Sequence, residues 1–181
     1  AKLPGVGRRS ADRMAVALAR NGPLLRDLSA SLRDVDARVT PCDRCGNLTA
    51  REANPCRLCT DPRRDDSILC VVEDPGDIGA IEKSGGFRGR YFALMGKISP
   101  MRNEGLHNTR IEALLARAAE GVVKEIILAL NADTESDATA RFIKDALAPK
   151  DIRVTRLARG IPAGSGVAYS DSVTLAGALQ A

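Results

Sequence analysis

Apolar positions recur at helical spacing in the first stretch of the chain. In RRSADRMAVALARNG, residues 8–22, Ala11, Met14, Ala15 and Leu18 follow one another every one to three residues, which predicts a helix that stops on Gly22. PLLRDLSASLRDVDARV repeats the pattern with Leu25, Leu28, Leu32 and Val35 after Pro23, so two short helices are expected to form the first unit. From Pro41 to about Pro62 the periodicity lapses, and Cys, Arg, Asn and Pro replace the apolar stripe. Such a segment cannot fill a core and needs another constraint. After Asp66 regularity returns. SILCVV reads as a buried strand, PGDIGAIEKSG as a helix and TRIEALLARAAEG as a helix stopped by Gly121. KEIILAL is a second strand, SDATARFIKDALA a helix with Ala138, Phe142, Ala146 and Leu147 on one side, and DIRVTRLA a third strand. Strands alternating with helices predict an α/β fold with a mainly parallel sheet.

Composition refines this picture. The 181 residues are 44% hydrophobic, enough for at least one core, and 27 Lys and Arg against 23 Asp and Glu leave a net charge of +4. That mild excess permits a polyanionic partner. Aromatic residues make up only 3%, with no Trp, which argues against base-stacking platforms and leaves phosphate contacts as the expected mode for any nucleic acid. No stretch approaches the roughly 20 consecutive apolar residues of a membrane helix, and no secretory leader is visible, so a cytoplasmic protein is expected. The chain opens on Ala1 and stops on Ala181 inside an apolar segment, as though cut from something longer at both ends.

Chemistry is concentrated in three places. Cys42-x-x-Cys45 and Cys56-x-x-Cys59 form two knuckles whose four thiolates suit one tetrahedral zinc, a closed structural shell with no position for substrate. Surface disulfides or a redox pair are the competing readings. Cys70, alone within ILCVV, reads as a small core hydrophobe, and His107 has no partner cysteine and is given no role.

Pro4-Gly5-Val6-Gly7 lies directly before the first helix, with Lys2 ahead of it and Arg8, Arg9 and Arg13 around the helix start. Gly5 and Gly7 allow backbone amides to approach a phosphate while the basic side chains supply charge, an arrangement blind to base identity. A plain interhelix turn is the simpler reading of the same glycines. Arg88 and Arg90 in FRGRY are expected to extend the basic surface.

Glu73 follows the strand ILCVV and Asp133 the strand IILAL, at carboxyl ends where open α/β sheets place their ligand sites. Glu73 and Asp77, with Asp74, could face Asp133, Glu135 and Asp137 and hold a hard divalent cation through oxygen. Helix capping explains the same acids without a cation.

Taken together, LPGVG, the paired C-x-x-C knuckles, DPRRDDSILCVVEDPGDIGAIEKSGGFRGRYFALMGKISP, ATARF and RLARGIPAGSGVAYSDSVTLAGAL resemble the bacterial RecR recombination mediator family over nearly the whole length. The resemblance implies a helix-hairpin-helix region over residues 1–40, its first helix reduced to Ala1-Lys2-Leu3, and a four-cysteine zinc element over 41–62 with one zinc per chain. It further implies a Toprim domain over 63–159 and a C-terminal segment over 160–181. It also implies ring-like homodimers or homotetramers around double-stranded, gapped or junction DNA without sequence preference, at the nucleoid. RecO and RecF are the implied partners in loading RecA, and no catalysis is implied. Against the topoisomerase-type pattern D-x-D-x-E-G-E, Asn131 replaces the first acid and Ser136 the glycine, while Asp133, Glu135 and Asp137 are acidic. MRNEGLHNTR, residues 101–110, replaces the family's usual D-G-x-G-P-type loop. The incomplete acidic set is open to helix capping, weak magnesium binding or partner docking. The alternative to a mediator is a magnesium-dependent Toprim nuclease or phosphoryl-transfer enzyme using Glu73, Asp133 and Glu135.

Overall fold

A computed structural model describes residues 2–99, 105–158, 160–161 and 163–179. Ala1, Ala181 and the first four positions of the 101–110 loop lie outside the described residues. The chain divides into two compact units, one of residues 1–40 with 49–54 and one of residues 41–48 with 55–181.

The first unit holds α1 (Arg8–Arg20) and α2 (Gly22–Arg38). Gly22 does not stop the first helix. Asn21 is the C-cap of α1 and, through a side chain that accepts from Leu24 N at 3.1 Å, the N-cap of α2, with Pro23 in the first turn. An amide side chain serves as an N-cap better than glycine does, so the break falls one residue early. Neither helix contains a buried residue. Met14, Leu32 and Val35 are each more than half exposed, so these positions of the predicted apolar stripes are uncovered.

β1 (Val39–Pro41) pairs with β2 (Leu48–Ala50) in a ribbon of its own, and the second unit continues with the short α3 (Arg57–Thr60). Then come β3 (Asp65–Val72), α4 (Pro75–Ser84), β4 (Gly89–Ala93), α5 (Ile111–Ala119), β5 (Glu125–Ala129), α6 (Thr134–Leu147), β6 (Arg153–Arg156) and α7 (Ser172–Ala178). The main sheet is parallel in the order β4-β3-β5-β6. The chain leaves β3 towards β4, then returns past it to β5, so the order reverses between β3 and β5. The crevice beyond the carboxyl ends of those two strands is the switch point at which open α/β sheets bind their ligands.

Strand alternation divides the core in two. Leu69, Val71, Phe92, Ile126 and Leu128 pack with Ile111 and Leu114 of α5 and Ile143 and Leu147 of α6. Cys70, Val72, Tyr91 and Ala93 face the other way, onto Ile78 of α4, Leu58 and the four knuckle cysteines. The cysteine element therefore covers one face of the sheet.

Two expectations fail here. The strand β4 is absent from the sequence reading because GRYFA is short, begins on glycine and carries Arg90. That arginine is not part of a basic surface: it is buried, donating from Nε to Asp66 at 2.6 Å and from Nη1 to the Leu58 carbonyl at 2.7 Å. The buried face of α6 is Ser136, Thr139, Ala140, Ile143 and Leu147, whereas Ala138 and Phe142 point outward. A polar pair can be buried there because Ser136 and Thr139 find internal hydrogen-bond partners, which the apolar count could not register.

Candidate functional site

The knuckles are built by the chain turning twice over the sheet. Gly46, at φ 81°, closes the first knuckle, and a Cβ there would lie 3.2 Å from the Ala93 carbonyl, so only glycine fits between knuckle and sheet. The four Sγ atoms lie within 4.8 Å of one another, all buried. Cys45 and Cys56 stand 3.5 Å apart and Cys42 and Cys59 3.9 Å apart, far beyond a disulfide bond of about 2.05 Å. Tetrahedral zinc with bonds of about 2.3 Å spaces its sulfurs by about 3.8 Å, so the cluster has the size the metal requires. Backbone amides point at the sulfurs, Asn47 N at Cys45 Sγ (3.4 Å) and Cys56 N at Cys42 Sγ (3.3 Å), as suits thiolate acceptors. Donation from Cys45 and Cys59 holds Cys56 well below the usual thiol range, while the same contact pushes Cys45 upward. Four buried thiols cannot all ionise together without a cation. Cys70 stands apart from them, its thiol pushed up to about 12 by burial, the behaviour of a core residue.

At the switch point the acids converge, but on a lysine. After β4, Met95 at φ 61° and Gly96 at φ 155° turn the chain, and a Cβ on Gly96 would come within 2.9 Å of the Asn108 carbonyl. The turn delivers Lys97, whose Nζ lies 2.6 Å from Asp133 Oδ2, 3.6 Å from Glu135 Oε2 and 3.9 Å from Glu73 Oε2. Glu73 is buried and accepts from Asn131 N at 2.9 Å, from Asn131 Nδ2 at 2.8 Å and from the Ser136 hydroxyl. Asp133 is the N-cap of α6, accepting from Ser136 N at 2.9 Å, with Ser136 Oγ 3.0 Å from the same carboxylate. The Ser99 hydroxyl donates to Glu135, and Ile98 N to Thr139 Oγ1 at 2.9 Å, fastening the Lys97 loop to α6. The ammonium, aided by the Ser136 amide, holds the Asp133 carboxyl down to about 2, and Asp133 in turn raises the Lys97 ammonium above its usual range.

Two expected members of this cluster are elsewhere. Asp77 forms a capping box with Asp74 at the start of α4, its Oδ2 accepting from Asp74 N at 3.1 Å. Asp137 turns from Glu73 to pair with Arg156 at 2.7 Å. Asp74 and Asp77 sit where first-turn acids stabilise a helix, and on α6 a two-residue step from Glu135 points Asp137 to another side. The residues that sequence reasoning missed are Lys97 and Ser99, and the donor roles of Asn131 and Ser136. Lys97 and Ser99 lie in GKIS, whose glycine turn was the available signal.

In the first unit Gly5, at φ 73°, lies in the turn closed by Val6 N donating to the Leu3 carbonyl at 3.1 Å, and Gly7 is the N-cap of α1. Lys2, Arg8, Arg9 and Arg13 are exposed around it. The turn before α1 and its basic side chains are therefore open to solvent. Arg88 is exposed in the second unit, and Tyr169 is largely exposed while Tyr91 is buried with its hydroxyl donating to Glu82 at 2.6 Å.

Residues 67–158 match the Toprim domain family, which spans β3 to just beyond β6. The chain is 47% identical over 180 residues to the recombination protein RecR of Acidothermus cellulolyticus, a match covering 99% of this chain and 89% of that one. Recombination protein RecR of Streptomyces avermitilis is 44% identical over 180 residues, with the same coverage, and that of Moorella thermoacetica 45% identical over 176 residues, covering 97% and 87%.

Proposed function

The chain belongs to the RecR family of recombination proteins, and from that premise we propose that it is a non-catalytic, DNA-binding mediator of recombination and repair. In this reading it acts in the cytoplasm, at the nucleoid, with RecO and RecF to load RecA onto gapped or single-stranded DNA. Among the described residues no helix is long and apolar enough to cross a membrane.

The observation that carries the non-catalytic part is Lys97. Its ammonium sits among Glu73, Asp133 and Glu135, where a divalent cation would have to bind to activate a phosphoryl group, and Asn131 brings an amide where a fourth carboxylate would help. The convergence of three carboxylates is what favours the alternative, a magnesium-dependent nuclease, and the same lysine weighs against it by supplying the positive charge from within the fold. Relieved of chemistry, the acidic face is suited to docking a basic partner protein such as RecO.

DNA binding rests on the exposed hairpin of Lys2, Gly5, Gly7, Arg8, Arg9 and Arg13, whose amides and guanidiniums offer a sequence-independent grip on phosphate. The four cysteines hold one structural zinc, which fixes the element that covers the sheet. The uncovered apolar stripes of α1 and α2 support assembly into homodimers or homotetramers, since such surfaces are stable only when covered. The test is fluorescence anisotropy of a labelled gapped duplex over a salt series. Replacing Arg8 and Arg9 by Ala should weaken binding equally for unrelated sequences and flatten the salt slope by about 1.8, two phosphate contacts at about 0.9 each. An unchanged slope refutes the assignment of the hairpin.

A further inference from the structure

The second unit holds a charged cavity away from the switch point. It encloses about 500 Å³ beneath α3 and the start of β4, and four of its lining residues are Arg57, Arg63, Arg64 and Arg88, against two acids, Asp61 and Glu82. Both acids are already committed. Asp61 takes Arg63, at 2.9 Å from Nε and 3.0 Å from Nη2. Glu82 takes Arg64 at 2.5 Å and the Tyr91 hydroxyl at 2.6 Å. The Arg64 side chain is 7% exposed, and its Nε is buried without a hydrogen-bond partner among the described residues. Arg57 and Arg88 therefore remain as two guanidiniums with neither hydrogen bond nor ion pair among the described residues, Arg57 acting on Glu82 only through longer-range charge, and both line the same cavity, one from the knuckle and one from just before β4.

We propose that this cavity is a second nucleic-acid contact, a seat for the phosphodiester backbone gripped by Arg57 and Arg88. The proposal rests on the DNA-binding reading given above and adds a site on a different unit from the hairpin. Planar guanidinium forks match phosphate oxygens, and four positive charges against two negative leave the lining cationic. The cavity shares Arg57, Leu58 and Glu82 with a neighbouring one of about 550 Å³, to which Lys83 contributes. The pair of cavities thus makes a run longer than a single phosphate, which favours a polymer over a free anion. Among the described residues no aromatic ring lines either cavity, so bases are not stacked and sequence is not read.

The test uses the zinc-loaded full chain and its Arg57→Gln, Arg88→Gln double variant, with Arg57→Lys, Arg88→Lys as the charge-preserving control. Anisotropy of a labelled duplex is measured from 50 to 200 mM salt. Losing two phosphate contacts should make the affinity drop across that range about 12-fold smaller in the Gln variant, with the Lys variant close to wild type. The melting temperature of both should stay within about 2–4 °C of the wild-type value, because neither side chain has a hydrogen bond or ion pair to lose and Arg57 touches Glu82 only through longer-range charge. Wild-type binding with a salt slope unmoved by the Gln pair overturns this site and leaves the hairpin reading standing, whereas no wild-type binding at any salt overturns both. Two further arms use dAMP and an oligo-aspartate peptide. Binding of either that depends on Arg57 and Arg88, while duplex binding does not, overturns the backbone assignment in favour of a free nucleotide or an acidic peptide.

Discussion

Replacing Lys97 by Met removes the ammonium from the switch-point crevice while keeping the volume of its stem. Two unit charges about 4 Å apart interact by about 4 kcal/mol at an effective dielectric of about 20, but that figure needs reducing on both sides of the contact. Asp133 lies 2.6 Å from Nζ with its side chain 43% exposed, so solvent screening leaves that pair about 1 kcal/mol. Glu73, 3.9 Å away and 10% exposed, loses its countercharge while it stays buried, which adds about another 1 kcal/mol after its three other hydrogen bonds are allowed for. The expected loss is about 2 kcal/mol at pH 7, or a fall of about 4–8 °C in melting temperature, read by circular dichroism. The pH dependence has a definite sign. Lys97 holds the Asp133 carboxyl down to about 2 in the folded protein against an ordinary 3.8, so its contribution is complete above 3.8 and lost as pH falls through 2. The gap between wild type and variant should hold from pH 7 to pH 5 and close as pH falls below 4. It should also fade in strong alkali, as pH rises through the raised value of Lys97. With the ammonium gone the three carboxylates can take a hard cation, so millimolar magnesium should raise the melting temperature of the variant and leave wild type unmoved. A variant as stable as wild type at pH 7, or a gap unchanged at pH 3, refutes the reasoning.

Other outcomes follow from the same contacts. Wild-type protein should carry one zinc per chain by atomic emission, and Cys42→Ser should lose it and melt the knuckles away from Cys70 and Tyr91 of the sheet, leaving a broadened unfolding transition. Arg90→Ala strands the Leu58 carbonyl and one face of Asp66 and should cost about 3 kcal/mol by urea denaturation, with no change in the salt slope of DNA binding, since Arg90 is buried. Cys70, raised to about 12 and buried, should resist alkylation at pH 8 in the folded protein and react at an ordinary rate in urea.

The sequence displayed most of the fold where one physical signal dominated. Two strands of the sheet, β3 and β5, carry continuous apolar runs, a pattern that buried parallel strands produce, and α4 announces itself through Asp74-Pro75 at its start and Gly85, at φ 67°, at its end. The knuckle cysteines were legible because their spacing is itself the constraint on the metal. The fourth strand was hidden because Arg90 looks like a surface residue until Asp66 and the Leu58 carbonyl are seen around it. The acidic site was half legible. Asp133, Glu135 and Asp137 are near one another in sequence, and helical geometry sends Asp137 to Arg156 while leaving Asp133 and Glu135 at the crevice. Lys97 reaches them from the far side of β3, a juxtaposition that depends on strand order and a two-residue turn. No local pattern encodes such a meeting.

The central claim is that this chain holds DNA without cutting it. The most direct test incubates the zinc-loaded protein with an end-labelled gapped duplex and magnesium, following anisotropy in solution and strand length on a denaturing gel from the same tube. The account predicts that anisotropy rises with protein concentration while every strand stays full length after hours. Shortened strands that require magnesium and disappear with Glu73→Gln would contradict it.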